Sequence, residues 1–410
     1  MKTTENPDLV RAYQTIRKYP LFAGMSKDIV FWIAINTLFL TAVKGLSPSQ
    51  INEIEAVGSL VSLLVLINLI PIVKKIGNIT SVRMGILLML LSSVLNALST
   101  HFSGFLIAEI CYYIGLILIS IEDVILVNNL AITTGQDHYI EYQTKASETY
   151  ALITLFSSFL SGFLFNINPY IPLVLSILIL AFSFVYSFSI YDPPDLVNKD
   201  SSYVVKSRTK TLPLFCSPAR IIIAVLMGAA VFSAISNLQK NSKLFIQQNM
   251  YSYLTTAKIS VYFSIIITVS RISRLVTNHW FLRSFRKKGY TLIYWLSGAL
   301  ISAIVLLLIG NILPNGISTV IMSCGFWIIL SIRDPMDNIF RKFLFDISLS
   351  EDRKQNMSLM GIFRKVFSLI FSLSVSRLLI MYDYSDVFLV MLCLSGMILS
   401  VLIISMKNYL

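Results

Sequence analysis

An all-α integral membrane fold, twelve transmembrane helices in two six-helix repeat halves, is what the sequence predicts, and three observations predict it. First, 56% of the 410 residues are hydrophobic and 13% charged, with mean hydropathy +0.75. Soluble domains run about 45–50% apolar and about 25% charged. Second, apolar runs of about 20 residues, enough to cross a hydrocarbon core ~30 Å thick, recur from residue 26 to the end of the chain. They are continuous and do not alternate residue by residue, so they read as helices and not as barrel strands. Third, one long hydrophilic connection, "YDPPDLVNKDSSYVVKSRTKTLPLF" at 191–215, carries a Pro pair, charges and no periodicity, and it separates six runs from six.

In chain order, residues 1–25 form a polar, amphipathic segment with no apolar core and cleavage site of the signal-peptide kind, and are expected in the cytoplasm. The first half occupies 26–190, with spans at 26–43, 49–73, 80–100, 104–131, 145–166 and 169–190. The linker is 191–216, and the second half, 217–410, has spans at 217–237, 254–276, 288–310, 315–334, 357–380 and 385–405.

The net charge of +12 is distributed by topology. With both termini inside, Lys and Arg cluster in alternate connections, at 74–75, 198–210, 283–288, 341–342 and 352–354, whereas the opposite ones hold Lys44, Lys240 and Lys243. Such asymmetry sets orientation in a membrane, so it is not a nucleic-acid footprint. Cys111, Cys216, Cys324 and Cys393 are widely spaced in apolar runs, a pattern of buried free thiols. His101, His138 and His279 lack the spacing of metal ligands, and no cofactor is expected.

The two halves echo each other. "IVKKIGNITSVRMGILLML" follows the second span and "FLRSFRKKGYTLIYWLSG" the eighth, each a basic cluster near a Gly that leads into an apolar helix. After the fourth and tenth spans, "EYQTKASETYALITLFSSFLSG" and "EDRKQNMSLMGIFRKVFSLIFSLSVS" run from acid through Lys into a helix with Ser157 and Ser161, or Ser368, Ser372 and Ser376, four apart. Small residues at that spacing let helix backbones approach closely in lipid. Paired six-helix halves are the construction of many secondary transporters, with a substrate site at the midplane between repeats.

Three stretches carry a resemblance. "KGLSPSQINEIEA" (44–56), "SIEDVILVNNL" (120–130) and "RDPMDNIFRKFLFDISLSEDRKQNMSLMGI" (333–362) are similar to the helix one–two, helix four and helix ten–eleven segments of the major facilitator superfamily, in particular its bacterial twelve-helix drug and small-molecule permeases. The superfamily's Gly-x-x-x-Asp-Arg-x-Gly-Arg loop falls on Ile70, Lys74, Lys75, Gly77 and Asn78, so the acid that serves as latch is a Lys here. The fifth span reads "SSFLSGF" in place of the Gly-Pro-Gly-Gly of drug/proton antiporters.

Polar groups inside the spans are the candidate functional residues, because intramembrane charges face a bundle interior or a wet cavity. Glu122 and Asn129 are seven apart and share one helix face, with Asp123 one step round. Three roles compete for Glu122 and Asp123: a proton- or cation-coupling carboxylate, a latch paired with Lys145, Arg341 or another base, and direct substrate contact. Glu109, Glu55, Arg333 and Asp334 complete the coupling or gating set, and Asp28 is expected as a helix-start acid. Trp32, Asn36, Tyr112, Tyr113, Phe232 and Trp327, with Asn129, are the cavity set, since the resemblance implies a cavity lined by helices one, four, seven and ten. Lys74, Lys75 and Gly77 are the loop motif expected to gate.

No phosphate loop, nucleotide-binding domain, catalytic triad or metal spacing occurs, so an enzyme is not expected. The expectation is a secondary active transporter working by alternating access, a monomer in a bacterial inner or plasma membrane, exporting a small organic molecule in exchange for protons. Rivals are a nutrient or chelate importer, a lipid flippase and, from another class, a non-transporting receptor or assembly partner of the same fold.

Overall fold

The computed structural model describes residues 7–133, 138–193, 218–313, 315–348 and 353–407. Its helices are α1 (Pro7–Ser26), α2 (Trp32–Leu38), α3 (Pro48–Ile76), α4 (Asn78–Leu98), α5 (Phe102–Ile119), α6 (Glu122–Ile132), α7 (Tyr139–Ile167), α8 (Ile171–Tyr186), α9 (Pro218–Met250), α10 (Thr256–Lys288), α11 (Leu292–Ile312), α12 (Asn315–Ile347), α13 (Arg353–Met381) and α14 (Tyr384–Lys407). A π-helical turn, Phe39–Val43, continues α2, and no strand occurs among the described residues. Among the described residues, ten segments are long and apolar enough to cross a membrane, and two more apolar helices, Trp32–Val43 and Tyr384–Ser400, are shorter.

Several boundaries differ from the sequence reading. The first span does not run unbroken over 26–43: residues 27–31 interrupt it, and helix begins as early as Pro7. Trp32–Val43 alone falls short of ~30 Å at ~1.5 Å per residue, so it is shorter than the expected first span. The N-terminal stretch folds in because Ala12, Ile16, Tyr19, Phe22 and Ala23 recur at helical spacing and bury one face. The fourth span is also broken, at residues 120–121, so Glu109 and Glu122 lie on separate helices, α5 and α6. The seventh span does not end at 237; α9 continues to Met250 and takes Lys240 and Lys243 out of the expected loop.

The chain forms two compact units. The first comprises the described residues up to Ile33 and from Leu64 to 193, and the second comprises Ala34–Leu63 and the described residues from Pro218 onward. Sequence halves and compact units are therefore different partitions, with 34–63 belonging to the first half by order and to the second unit by packing.

In the first unit, Phe22, Ile86, Met89, Ile119, Ile125 and Leu180 lie in one buried apolar cluster, and Ile16, Tyr19, Leu126 and Leu130 in another between α1 and α6. Helices α4 and α5 cross so closely that a Cβ on Gly85 would lie 2.8 Å from the Gly115 carbonyl oxygen, and one on Gly115 2.7 Å from that of Gly85. The second unit repeats the device between α11 and α12, where a Cβ on Gly325 would lie 2.8 Å from the Ala303 carbonyl oxygen. Small residues at such crossings give lipid-embedded helices their packing contacts. The turns echoed in the sequence also match: Gly77 (φ 85°) follows α3 and Gly289 (φ 57°) follows α10, both in the left-handed region that glycine enters without a Cβ clash.

The serine echo has a second physical role. In the first unit, the hydroxyls of Ser157 and Ser161 on α7 donate to the carbonyls of Val30 (3.1 Å) and Phe31 (2.9 Å), which the break in the first span leaves outside a helix ladder. In the second, Ser372 donates to Asn237 Oδ1 (3.1 Å) and Ser376 to Glu53 (3.1 Å). Of the cysteines, Cys111 is buried as expected, but Cys324 and Cys393 are exposed, and Cys216 lies outside the described residues.

Candidate functional site

Buried polar groups gather in each unit, and the partners differ. In the first unit they surround the two helix breaks. Glu122, 5% exposed, is the first residue of α6, and its Oε2 lies 3.0 Å from the Ser26 hydroxyl at the end of α1. That same hydroxyl lies 2.8 Å from the Phe22 carbonyl oxygen, and Lys27 is within electrostatic range of the carboxyl. Asp123 accepts the Tyr19 hydroxyl proton at 2.8 Å, and Gln143 Oε1 lies 3.3 Å from that hydroxyl. Asp28 sits inside the first break and is not a helix-start acid: its Oδ1 accepts from Tyr112 (2.9 Å) and from the Ile29 amide (2.7 Å), and Tyr150 reaches its Oδ2 at 3.4 Å. The anticipated latch bases are paired with other acids. Lys145 pairs with Glu141 at 2.7 Å and Arg341 with Asp337 at 2.8 Å. Among the described residues, neither acid makes an ion pair.

In the second unit the acids meet cations. Glu55 pairs with Lys240 at 2.7 Å, and Lys365 lies within electrostatic range of both. Asp334 binds Arg274 and stands 3.6 Å from Arg333, which also donates to Gln239 (3.0 Å). Asp337 is shared by Arg341 and Arg364, and the Arg364 guanidinium lies 3.5 Å from the Phe232 ring centroid. Arg274 is thus an ion-pair partner in mid-helix, because α10 runs on to Lys288, past the expected end of the eighth span at 276. Lys243, 7% exposed, donates to Asn36 Oδ1 at 2.6 Å, and Gln247 one turn on donates to Thr41 and Tyr251.

The remaining predicted residues fall in several places. Trp32 and Tyr112 pack against the first unit's main apolar cluster, and Tyr112 and Tyr113 meet edge to face at 5.3 Å. Glu109 is half-buried on α5. Trp327, 38% exposed, donates its indole proton to Ser273 at 2.9 Å. Asn129 is fully buried and its amide donates to the carbonyls of Ile125 (2.8 Å) and Tyr191 (2.9 Å), so it ties residues 190–193 to α6. Lys74 and Lys75 are exposed at the end of α3.

Sequence reasoning missed Asp192. Its Oδ2 accepts the Ile79 amide at 3.1 Å, placing a negative charge at the N-terminus of α4, where free amides and the helix dipole favour one. The Asn78 side-chain amide also lies 3.5 Å from Asp192 Oδ1, and Arg83 on α4 donates to the Ser187 carbonyl at 3.2 Å and stacks on Phe188. Tyr191, outside the spans, donates its amide to Thr15 at 2.9 Å, and burial together with Asp8 pushes its phenol upward. Among the described residues no group of His, Cys, Asp and Glu is arranged to hold a metal ion.

No family model matches the chain, and no curated protein matches it. Solved structures do. The chain is similar to the nucleoside transporter NupG at 13% identity and TM-score 0.75, over 96% of this chain and 99% of that one. It is similar to a bacterial homologue of the iron transporter ferroportin in an inward-facing state (14%, TM-score 0.66, 95% and 98% covered). A bacterial homologue of the human lysosomal transporter Spinster, inward-facing and unoccupied, matches at 11% and 0.62 over 97% and 96%. The likeness spans nearly the whole chain and fixes the architecture: this is an all-α integral membrane protein with the major facilitator fold.

Proposed function

We propose that the chain is a secondary active transporter that moves a small organic molecule by alternating access, in exchange for protons and in the direction of export. The observation that carries this reading is the setting of Glu122 and Asp123: acids beside a helix break, inside the apolar bundle, held by neutral hydroxyls. A carboxyl moved from water into apolar surroundings takes up a proton more readily. The hydrogen-bond arithmetic allows it, because Ser26 has one proton for two acceptors, Glu122 and the Phe22 carbonyl. When Ser26 donates to the carbonyl, its contact with Glu122 calls for a proton on the carboxyl. Discontinuous helices near the bilayer midplane are a recurrent setting for coupling-ion sites. The fold supports the transporter class, and the sequence resemblance supports the drug and small-molecule branch.

In this reading Glu109 and Glu55 are secondary coupling candidates, and Arg333 and Asp334 belong to a gate. Substrate contact is proposed for Trp32, Tyr112 and Tyr113 in the first unit and for Asn36, Phe232 and Trp327 in the second, each set taken by itself, while Asn129 supports α6. The chain is a monomer in a bacterial inner or plasma membrane, with both termini and the 191–216 linker cytoplasmic. Cysteine accessibility tests the orientation with Ser252→Cys, at an exposed turn after α9, and Ser201→Cys. Labelling of Ser252→Cys from outside intact cells is expected, and labelling of Ser201→Cys alone reverses it. Transport is tested in inside-out vesicles under an imposed pH gradient. Glu122→Gln and Asp123→Asn should abolish gradient-driven accumulation while leaving downhill exchange. If both variants accumulate substrate with wild-type pH dependence, neither acid couples; if no solute moves at all, the receptor reading takes its place.

A further inference from the structure

Helix α11 has two faces. Leu292, Leu296, Leu300, Ala303, Leu307 and Gly310 are buried on one, whereas Trp295, Val305, Ile309 and Ile312 on the other are 65%, 45%, 43% and 82% exposed. Gly289–Ile312 is long and apolar enough to cross a membrane, so the exposed face meets lipid. That face is notched: Tyr294, Trp295, Gly298, Ala299 and Ser302 line an open groove of about 460 Å³. A Cβ on Gly310 would run into Met322 of α12, but one on Gly298 would meet nothing within 4 Å. The glycine at 298 therefore serves no helix crossing among the described residues.

Positive charge stands at one end of this helix face. Lys288, the last residue of α10, holds its ammonium 4.6 Å from the Trp295 ring centroid, and Arg283 and Lys287 are exposed near the same helix end. Among the described residues no acid pairs with any of the three. An ammonium over an indole face still has N–H donors for a phosphate oxygen.

We propose that this face of α11 binds an anionic phospholipid, with an acyl chain in the groove at Gly298 and the headgroup phosphate on Lys288 beside Trp295. Such a site requires only that α11 cross a membrane, whatever the chain transports. The groove opens along the outer face of the helix, where lipid reaches it directly. Lys and Trp side chains gather at headgroup depth, and each Lys or Arg near an anionic membrane surface strengthens attraction by about fivefold. A second copy of the chain is a poorer occupant. Packed about a two-fold axis along the membrane normal, it would set Lys288 and the exposed indole against their own equivalents, and like charges would oppose the contact.

The test is quenching of Trp295 fluorescence by brominated lipid in vesicles holding the purified full-length chain. Phosphatidylcholine vesicles receive increasing fractions of brominated phosphatidylglycerol or, separately, of brominated phosphatidylcholine, and the Trp295 signal is the difference between wild type and Trp295→Phe. Half-maximal quenching is expected at an about fivefold lower fraction of the anionic lipid. Lys288→Gln, at an exposed position, should bring the two curves together. Gly298→Leu, which fills the groove and leaves every charge in place, should do the same, and the Tm of each variant reports folding. Equal quenching by the two lipids in wild type, or an anionic preference that survives in both folded variants, overturns the proposal. Displacement of the anionic lipid by inorganic phosphate would assign the cation to a free anion and overturn it as well. A Trp295 shielded from both lipids, in a chain that cross-links to itself through Ser302→Cys, would give the face to a second copy.

Discussion

The acids of the two units are kept in different company. In the first unit, Glu122, Asp123 and Asp28 meet hydroxyls from Ser26, Tyr19, Tyr112 and Tyr150; in the second, Glu55, Asp334 and Asp337 meet lysine and arginine. A hydroxyl can hydrogen-bond a carboxyl in either protonation state. A fixed cation favours the carboxylate and adds a Coulomb attraction whose loss leaves an uncompensated buried charge. In the transport mechanism proposed above, the difference divides labour, with exchangeable protons in the first unit and fixed charge in the second.

Substitution sharpens that contrast, and the largest effect is expected in the second unit. Asp337→Asn removes the counter-charge of the largely buried Arg364, and breaking such a pair costs about 3 kcal/mol. Thermal unfolding of the purified protein should show a large fall in Tm; an unchanged Tm would mean the pair is not structural. The glycine crossings come next. Gly85→Val and Gly325→Val each force a side chain against a backbone oxygen, and overpacking of this kind costs about 2 kcal/mol. Equal losses in both would support the repeat, and a loss in only one would break it. Asp192→Ala, which strips the acid from the start of α4, should cost about 1 kcal/mol, read as a fall in Tm at pH 7. Glu122→Gln stands at the small end for stability. It orphans no cation and keeps the side chain's shape, so a change below about 1 kcal/mol is expected, even as gradient-driven accumulation is lost. A fall as large as that of Asp337→Asn would mean that Glu122 carries fixed charge, and the contrast between units would collapse.

The sequence misread the stretch 238–250. "LQKNSKLFIQQNM" is dense in polar residues, and a hydropathy count ends the seventh span at 237. Yet Asn237, Asn241, Lys243 and Gln247 are buried and lie at helical spacing, where each finds a polar partner from α2, the π-helical turn that continues it, α3 or α13. That spacing was the available signal. The same holds for α1, whose polar residues hid a buried face at Ile16, Tyr19 and Phe22. Asp192 carried no signal at all, because its partner amide lies 113 residues earlier in the chain.

What the sequence determined by itself was the membrane class, the helical architecture and the inward-facing place of Glu122. These follow from local quantities, since a long apolar run commits a segment to lipid whatever its neighbours do, and an acid within it must face inward. The glycine turns at Gly77 and Gly289 were legible for the same reason, each following from a few adjacent residues. What only the tertiary structure decided was partnership. Whether Glu122 meets Lys145 or Ser26, whether Lys240 lies in a loop or against Glu55, and whether 34–63 packs with the residues beside it in sequence or with α9 and α13 all depend on contacts between distant segments. A buried charge needs a partner, but its own sequence neighbourhood does not specify which distant side chain will provide it.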